Sequence, residues 1–277
     1  MNGRTIERDG WSFKIDGSSG ADAFDCERLV TLAVEVVAGR LGREVRRSRA
    51  AITRMVELRD SAPVDIFYKI LERPRGVAAI KSWFRRGGAE HIARISAALA
   101  ASGIGAPPVL LCGRELASGR EIVATARVSG FMVPRFIGPR RESLARKRQV
   151  LSALGAEVAR LHRSGFIHGD LTPFNVLVLP GEPPPIVFID HERTRRPRFA
   201  SARARLRNLV QLGHFDLAGL SDTDRMRVWQ AYRAAGGAPA KTLRQVAKML
   251  ARRIARERAR AHKPPVAMVE TGKLREG

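Results

Sequence analysis

His168-Gly169-Asp170-Leu171-Thr172-Pro173-Phe174-Asn175 is the stretch whose reading decides the fold. It sets an aspartate and an asparagine at D-x4-N spacing, so a single rigid loop aims both side chains at one point. Fifteen residues past Asn175 a second aspartate, Asp190, closes the apolar run VFID. The short apolar strands VLVL and IVFI lie between, so Asp190 arrives on an adjacent hairpin. Upstream, Leu144, Leu151, Leu154, Val158 and Leu161 recur at helical spacing over 142–164, and Gly165 ends that helix just before the loop. Taken singly, Asp170 is an ordinary turn residue, Asn175 a local backbone partner and Asp190 a strand-end cap. The joint arrangement carries the information.

Working outward towards the N-terminus, the pattern is mostly strands. REVRRSRAAITRMVEL (43–58) has apolar and β-branched positions spaced like two short strands, and VDIFYKIL (64–71) reads as a third. FDCERLVTLAVEVVAGRLG is read as a helix ending near Gly39, because Leu29, Leu32 and Val36 share a face. AEHIARISAALAASG places Ile92, Ile95 and Leu99 together and stops at Gly103. APPVLLCGREL and REIVATARV read as two more strands around a turn. Beyond Gly130 the chain turns helical, with patterns at RLRNLVQLGHF, after the N-cap candidate Ser221, and from Leu243 to about Ala261. The sequence thus predicts an α+β chain with a small strand-rich lobe (1–127) over a larger helical one (128–277), and a cleft between them.

Bulk properties narrow the class. With 277 residues and 44% hydrophobic content the chain builds a substantial core. Cys26 and Cys112 make neither a disulfide framework nor a zinc motif, and a reducing compartment fits. No stretch approaches the roughly 20 apolar residues that span a bilayer, and the first residues lack the apolar core of a signal peptide, so a cytosolic location is expected. The formal charge is +23. Seven arginines and no acid lie between Arg193 and Arg207, and a second basic cluster runs from Arg252 to Lys263. Such a field selects a polyanionic partner. Aromatics make up 6% and do not interleave with the arginines as base-stacking platforms do, which disfavours nucleic acid.

The Asp170–Asn175–Asp190 set resembles the catalytic loop and metal-binding aspartate of the protein-kinase superfamily. That resemblance implies a bilobal kinase-like fold and ATP with Mg2+. Phosphoryl transfer depends on positioning and charge neutralisation more than on covalent chemistry. One carboxylate, Asp170, would orient the attacking hydroxyl and accept its proton, while Asn175 and Asp190 would hold magnesium. His168 would brace the backbone near Asp190. In the small lobe, Lys69 is the candidate for the α/β phosphates, with Lys81 its rival, because a lysine among apolar residues in a half-buried strand needs an anionic partner. Glu90, at the start of the following helix, is the candidate to orient Lys69. No glycine occurs in 43–56, so Ser48, Arg49 and backbone amides would cover the phosphates instead of a glycine-rich loop. Two departures stand out. Gly169 replaces the usual arginine of the loop, and His191-Glu192 replace Phe-Gly after the metal-binding aspartate. Glu192 is open to two roles, metal binding or pairing with Arg193.

Over roughly 40–235 the chain is similar to the lipopolysaccharide kinase (Kdo/WaaP) family. FYKIL followed by ERPRG, GIGAPPVLLCG, LHRSGFIHGDLTPFNVLV, the Asp-x-x-Arg element of Asp190 and Arg193, and the basic Asn-Leu helix after it carry this resemblance. It implies transfer of the ATP γ-phosphate to a Kdo or heptose hydroxyl of the lipopolysaccharide inner core, at the cytoplasmic face of the inner membrane. The arginine-rich stretch would meet a phosphorylated acceptor and an anionic bilayer. Two alternatives stand beside it: a small-molecule or protein kinase of the aminoglycoside or choline phosphotransferase type, and a non-catalytic kinase-like binder of anionic surfaces.

Overall fold

The computed structural model describes residues 4–15, 25–48, 50–58, 64–72, 88–138, 142–213, 217–237 and 243–261, with the backbone alone at 64, 243 and 257–261. Its first half is a seven-stranded antiparallel sheet in the order β1-β2-β6-β7-β5-β4-β3. The strands are β1 (Arg4–Arg8), β2 (Trp11–Ile15), β3 (Arg43–Arg47), β4 (Ala51–Leu58), β5 (Val64–Leu71), β6 (Val109–Glu115) and β7 (Glu121–Ala126). Strands β1 and β2 are additional to those expected from sequence. Their signal is the Asp9-Gly10 pair, whose φ values of 50° and 76° make the two-residue turn that matches strand twist.

Helix α1 (Cys26–Val37) covers one face of this sheet. Its Leu29, Val30, Ala33 and Val36 join Phe13, Ile66, Tyr68 and Ile70 in a buried cluster. Asp25 caps its start by accepting from the Glu27 amide at 3.0 Å. The opposite face receives α2 (Ala89–Ala101), which buries Ala89, Ile92 and Ala93 against Val109, Cys112 and Val123. The period of two in β5 then settles where Lys69 points. Ile66, Tyr68 and Ile70 face α1, so Lys69 emerges on the other side, between Thr53 of β4 and Val123 of β7.

The second half is helical, with α3 (Pro134–Ile137), α4 (Leu144–Arg163), α5 (Ala202–Gly213), α6 (Asp222–Ala234) and α7 (Leu243–Ala261), plus a three-stranded sheet β10-β9-β8 formed by β8 (Phe131–Met132), β9 (Val176–Val178) and β10 (Ile186–Phe188). Ser143 caps α4, and a reciprocal Ser221–Asp224 capping box starts α6. Helices α4 and α6 cross at Gly155, where a Cβ would lie 2.3 Å from the Val228 carbonyl oxygen. Val150, Leu151, Leu154, Val158 and Leu161 are all at most 2% exposed, and full burial of each aliphatic side chain contributes about 1.5–3 kcal/mol. The two halves meet at β10, where the Phe188 amide donates to the Gly105 carbonyl at 2.9 Å.

Candidate functional site

The loop that follows α4 begins with Gly165 at φ 85°, which lets the chain reverse, and is then pinned on both sides by backbone pairing. Ile167 and Arg195 exchange hydrogen bonds of 2.8 and 3.0 Å. His168 is fully buried. Its Nε2 donates to the Ile189 carbonyl at 2.9 Å and its Nδ1 accepts from the Asp170 amide at 3.2 Å, which defines the neutral Nε2–H tautomer. Burial pushes its pKa down, consistent with a ring that keeps one lone pair for the loop. His168 thereby ties the backbone of Asp170 to the residue preceding Asp190.

Asn175 is buried at the end of the 173–175 turn. Its Nδ2 donates to the Asp170 carbonyl at 2.9 Å and approaches Asp170 Oδ2 at 3.4 Å, so the amide oxygen is the atom turned away from Asp170. The Ile189 amide donates to the Asn175 carbonyl at 3.0 Å, which extends the β9–β10 register to the doorstep of Asp190. Asp190 itself has φ 66° and ψ 61°. Aspartate is among the few non-glycine residues that tolerate this left-handed conformation, and the conformation breaks the strand so that the carboxylate leaves the ladder.

That carboxylate meets the small-lobe lysine. Lys69 Nζ lies 2.8 Å from Asp190 Oδ1 and 2.5 Å from Glu192 Oε1. Burial alone would raise the Asp190 carboxyl, but the Lys69 ammonium outweighs it and holds the group below its ordinary value. Burial likewise pulls Lys69 down, and the two carboxylates overcome it and hold Lys69 above its ordinary value. Lys69, Asp170, Asp190 and Glu192 line one polar cleft of about 220 Å3, together with Arg46, Ser48, Ala50, Ala51, Thr53 and Arg193. This is below the roughly 300–1,000 Å3 of a whole small-molecule pocket and suits a polyphosphate end. A larger apolar cavity of about 960 Å3 lies among α4 to α7, lined by Leu151, Leu154, Leu209, Leu212, Trp229 and Leu250 among others; of the candidate site residues none lines it.

Some expected pairings are not formed. Glu90 does not meet Lys69: it ion-pairs with Lys14 at 2.5 Å, and its side chain is 67% exposed. The reason lies in the placement of α2, which turns Glu90 towards Lys14 of β2. The acid that reaches Lys69 is Glu192, which does so instead of pairing with Arg193. Ser48 does line the cleft, but its hydroxyl is engaged in the β3–β4 turn, accepting from the Ala50 and Ala51 amides at 3.3 and 3.1 Å. A serine turn therefore stands where a glycine-rich loop would. Arg49 and Lys81 lie outside the described residues.

Two further residues outside the candidate set organise the site. Asn208 of α5 is 1% exposed and clamps His168 from both sides. Its Oδ1 accepts from the His168 amide at 3.0 Å, and its Nδ2 donates to the His168 carbonyl at 2.5 Å. His162 Nε2 adds a 3.2 Å contact to the same Oδ1, and the Tyr232 hydroxyl meets His162 Nδ1 at 3.0 Å. The available signal was a lone asparagine on the apolar face made by Leu206, Leu209 and Leu212. The other residue is Gly169. A Cβ there would lie 2.2 Å from Arg193 Cβ and 2.3 Å from the Arg193 carbonyl oxygen, so the turn after Asp190 presses directly on the loop backbone. This explains why the arginine common at that position of kinase loops has no room here.

The donor chemistry fits a magnesium ion. Asp190 offers a carboxylate and Asn175 an amide oxygen, both hard oxygen ligands of the kind magnesium takes. Among the described residues no three His, Cys, Asp or Glu side chains gather into a metal centre. A two-ligand site fits an ion that keeps several waters and binds phosphate oxygens, as magnesium does.

An antiparallel sheet that projects a lysine onto a His-Gly-Asp loop borne by a helical second half is the architecture of the kinase-like fold. Residues 140–232 match the model of the lipopolysaccharide kinase (Kdo/WaaP) family. A solved structure of WaaP in complex with acyl carrier protein is similar in fold, with a TM-score of 0.58 and 20% identity over 83% of this chain and 92% of that one. No curated protein matches the sequence. Among the described residues, no helix is long and apolar enough to cross a membrane.

Proposed function

We infer that the protein transfers the γ-phosphate of ATP to a sugar hydroxyl, Kdo or heptose, of the lipopolysaccharide inner core, working as a peripheral protein at an anionic membrane surface. The observation that carries this reading is the meeting of Lys69, Asp170 and Asp190 in one cleft although 69 and 190 are far apart in sequence. In this reading residues 1–127 form the small lobe and 128–277 the large one. Magnesium-bound ATP would supply the activated phosphoryl group, with Asn175 and Asp190 holding the cation. Lys69 binds the α/β phosphates as a point charge. Asp170, held by His168 and Asn175, orients the acceptor hydroxyl and takes its proton. Ser48 and the backbone of the β3–β4 turn close over the phosphates. Phe131 and Met132 of β8, each about half exposed, and the 43% exposed Phe174 of the loop itself are apolar side chains on which a glycolipid acceptor can rest.

The basic surface supports the acceptor class. Arg195, Arg196, Arg198, Arg203 and Arg207 are all exposed on the segment that leaves the site at Arg193, and Phe199 between them is 82% exposed. An arginine field beside an exposed aromatic suits a phosphorylated, carboxylated glycolipid in an anionic bilayer. The test is incubation of the purified protein with ATP, Mg2+ and a Kdo-bearing lipid A acceptor, followed by mass spectrometry of the lipid. One added phosphate, lost in Asp170→Ala, is the expected result. Equal turnover by Asp170→Ala, or phosphate appearing only on small alcohols in a parallel acceptor screen, would refute the assignment.

A further inference from the structure

If Asp190 turns to a cation and Lys69 to phosphates, the second carboxylate on Lys69 still needs an account. Glu192 lies 2.5 Å from Lys69 Nζ, its side chain is 14% exposed, and it comes from the 3-10 turn His191–Arg193 rather than from α2. That turn is held from every side. The buried His191 donates from Nε2 to the Phe188 carbonyl at 2.9 Å and contacts Thr194 Oγ1 at 3.2 Å through Nδ1. The Thr194 amide closes the turn onto the His191 carbonyl at 3.1 Å, and Gly169 backs against Arg193. Helix α2 touches this turn through His91, whose Nε2 meets the Thr194 carbonyl at 2.8 Å.

A half-buried ammonium with a single carboxylate would lose its partner whenever Asp190 engaged a cation, and its four-carbon stem would then be free to sample other rotamers. A second carboxylate on a fixed support prevents this. We propose that Glu192 is the acid that positions Lys69 for the nucleotide phosphates, so that the lysine is oriented from within the 190–194 turn and not from α2. The proposal rests on the phosphotransferase reading of the cleft. It places the orienting acid on that turn, since the one acid of α2's first turn, Glu90, is committed to Lys14.

Two double-mutant cycles test it, Glu192→Gln with Lys69→Met and Glu90→Gln with Lys69→Met. The first readout is the urea unfolding midpoint of the protein without nucleotide or metal. Glu192→Gln alone lowers the midpoint, because Lys69 loses a partner, whereas in the Lys69→Met background it is neutral or raises the midpoint, because it removes one of two facing carboxylates. Glu90→Gln shows no coupling to Lys69. The second readout is steady-state turnover: Glu192→Gln lowers kcat roughly tenfold with a smaller change in KM for ATP, and this loss disappears in Lys69→Met. Additive effects of 192 and 69 in both readouts, or coupling of 69 to 90 instead, would overturn the proposal. So would full recovery of Glu192→Gln at raised Mg2+, which would make Glu192 a cation ligand. Failure of the function reading is separate, since it shows as unimpaired Asp170→Ala while the metal-free stability cycle still judges the pair.

Discussion

Replacing Gly169 by alanine tests whether the 168–175 loop and the Asp190 turn must touch. The added Cβ would meet the Arg193 carbonyl oxygen at 2.3 Å and Arg193 Cβ at 2.2 Å. Non-bonded carbon contacts settle at about 3.5–4.0 Å, so the two segments must part by about 1 Å, and a backbone carbonyl cannot swing aside as a side-chain tip can. Gly169 is not among the residues with positive φ, so alanine carries no backbone penalty there and the effect isolates the contact. Overpacking of this kind costs about 1–3 kcal/mol. The greater effect falls on activity, because His168 and Asp170 stand on one side of the contact and Asp190 and Glu192 on the other. A misplacement of about 1 Å between reacting groups costs on the order of a hundredfold in rate. Urea unfolding and ATP turnover are the assays. Gly165→Ala is the control: a Cβ there finds only Arg196 Cγ at 3.8 Å, and its φ of 85° charges about 1 kcal/mol of stability while turnover persists. If Gly169→Ala keeps stability within about 0.5 kcal/mol and turnover within about threefold, the contact reasoning is wrong.

Three further outcomes follow from the same geometry. Asn208→Leu leaves the His168 amide and carbonyl buried without partners, each worth about 1–3 kcal/mol, so unfolding free energy falls by several kcal/mol and turnover with it; a stable, active Asn208→Leu protein would refute the clamp. Tyr68 is fully buried and, among the described residues, its hydroxyl has no hydrogen-bond partner, so Tyr68→Phe is expected to raise stability by about 1 kcal/mol, and a loss on denaturant titration would show that the hydroxyl is engaged. Burial depresses His162 to about 4. A histidine whose folded pKa lies below its unfolded value of about 6.5 contributes stability that is complete above pH 6.5 and is lost as pH falls towards 4, by about 3 kcal/mol at most. Unfolding midpoints measured from pH 7 to 4 should fall steeply in the wild type and less in His162→Gln.

The local patterns of the chain were legible because secondary structure reports itself in periods. The helices at 26–37, 89–101, 144–163 and 243–261 stand where apolar residues recur every three to four positions, and β5 stands where they alternate. The same alternation made Lys69 a half-buried lysine in need of an anion. Asp170 and Asn175 were readable as a pair because five residues of one loop cannot separate them far. The β1–β2 hairpin is legible too, in the Asp9-Gly10 pair between two short segments.

Which acid answers Lys69 was decided only by tertiary structure. The sequence points to Glu90, and the outcome depends on how α2 seats on the sheet and on how the 190–194 turn is braced, which no local period encodes. The same holds for Asn208, whose partners lie 40 residues away, and for Gly169, whose small size answers a carbonyl 24 positions downstream. Side-chain type and spacing determine which faces an element offers. The summed packing of segments distant in sequence determines which polar groups those faces finally present to one another.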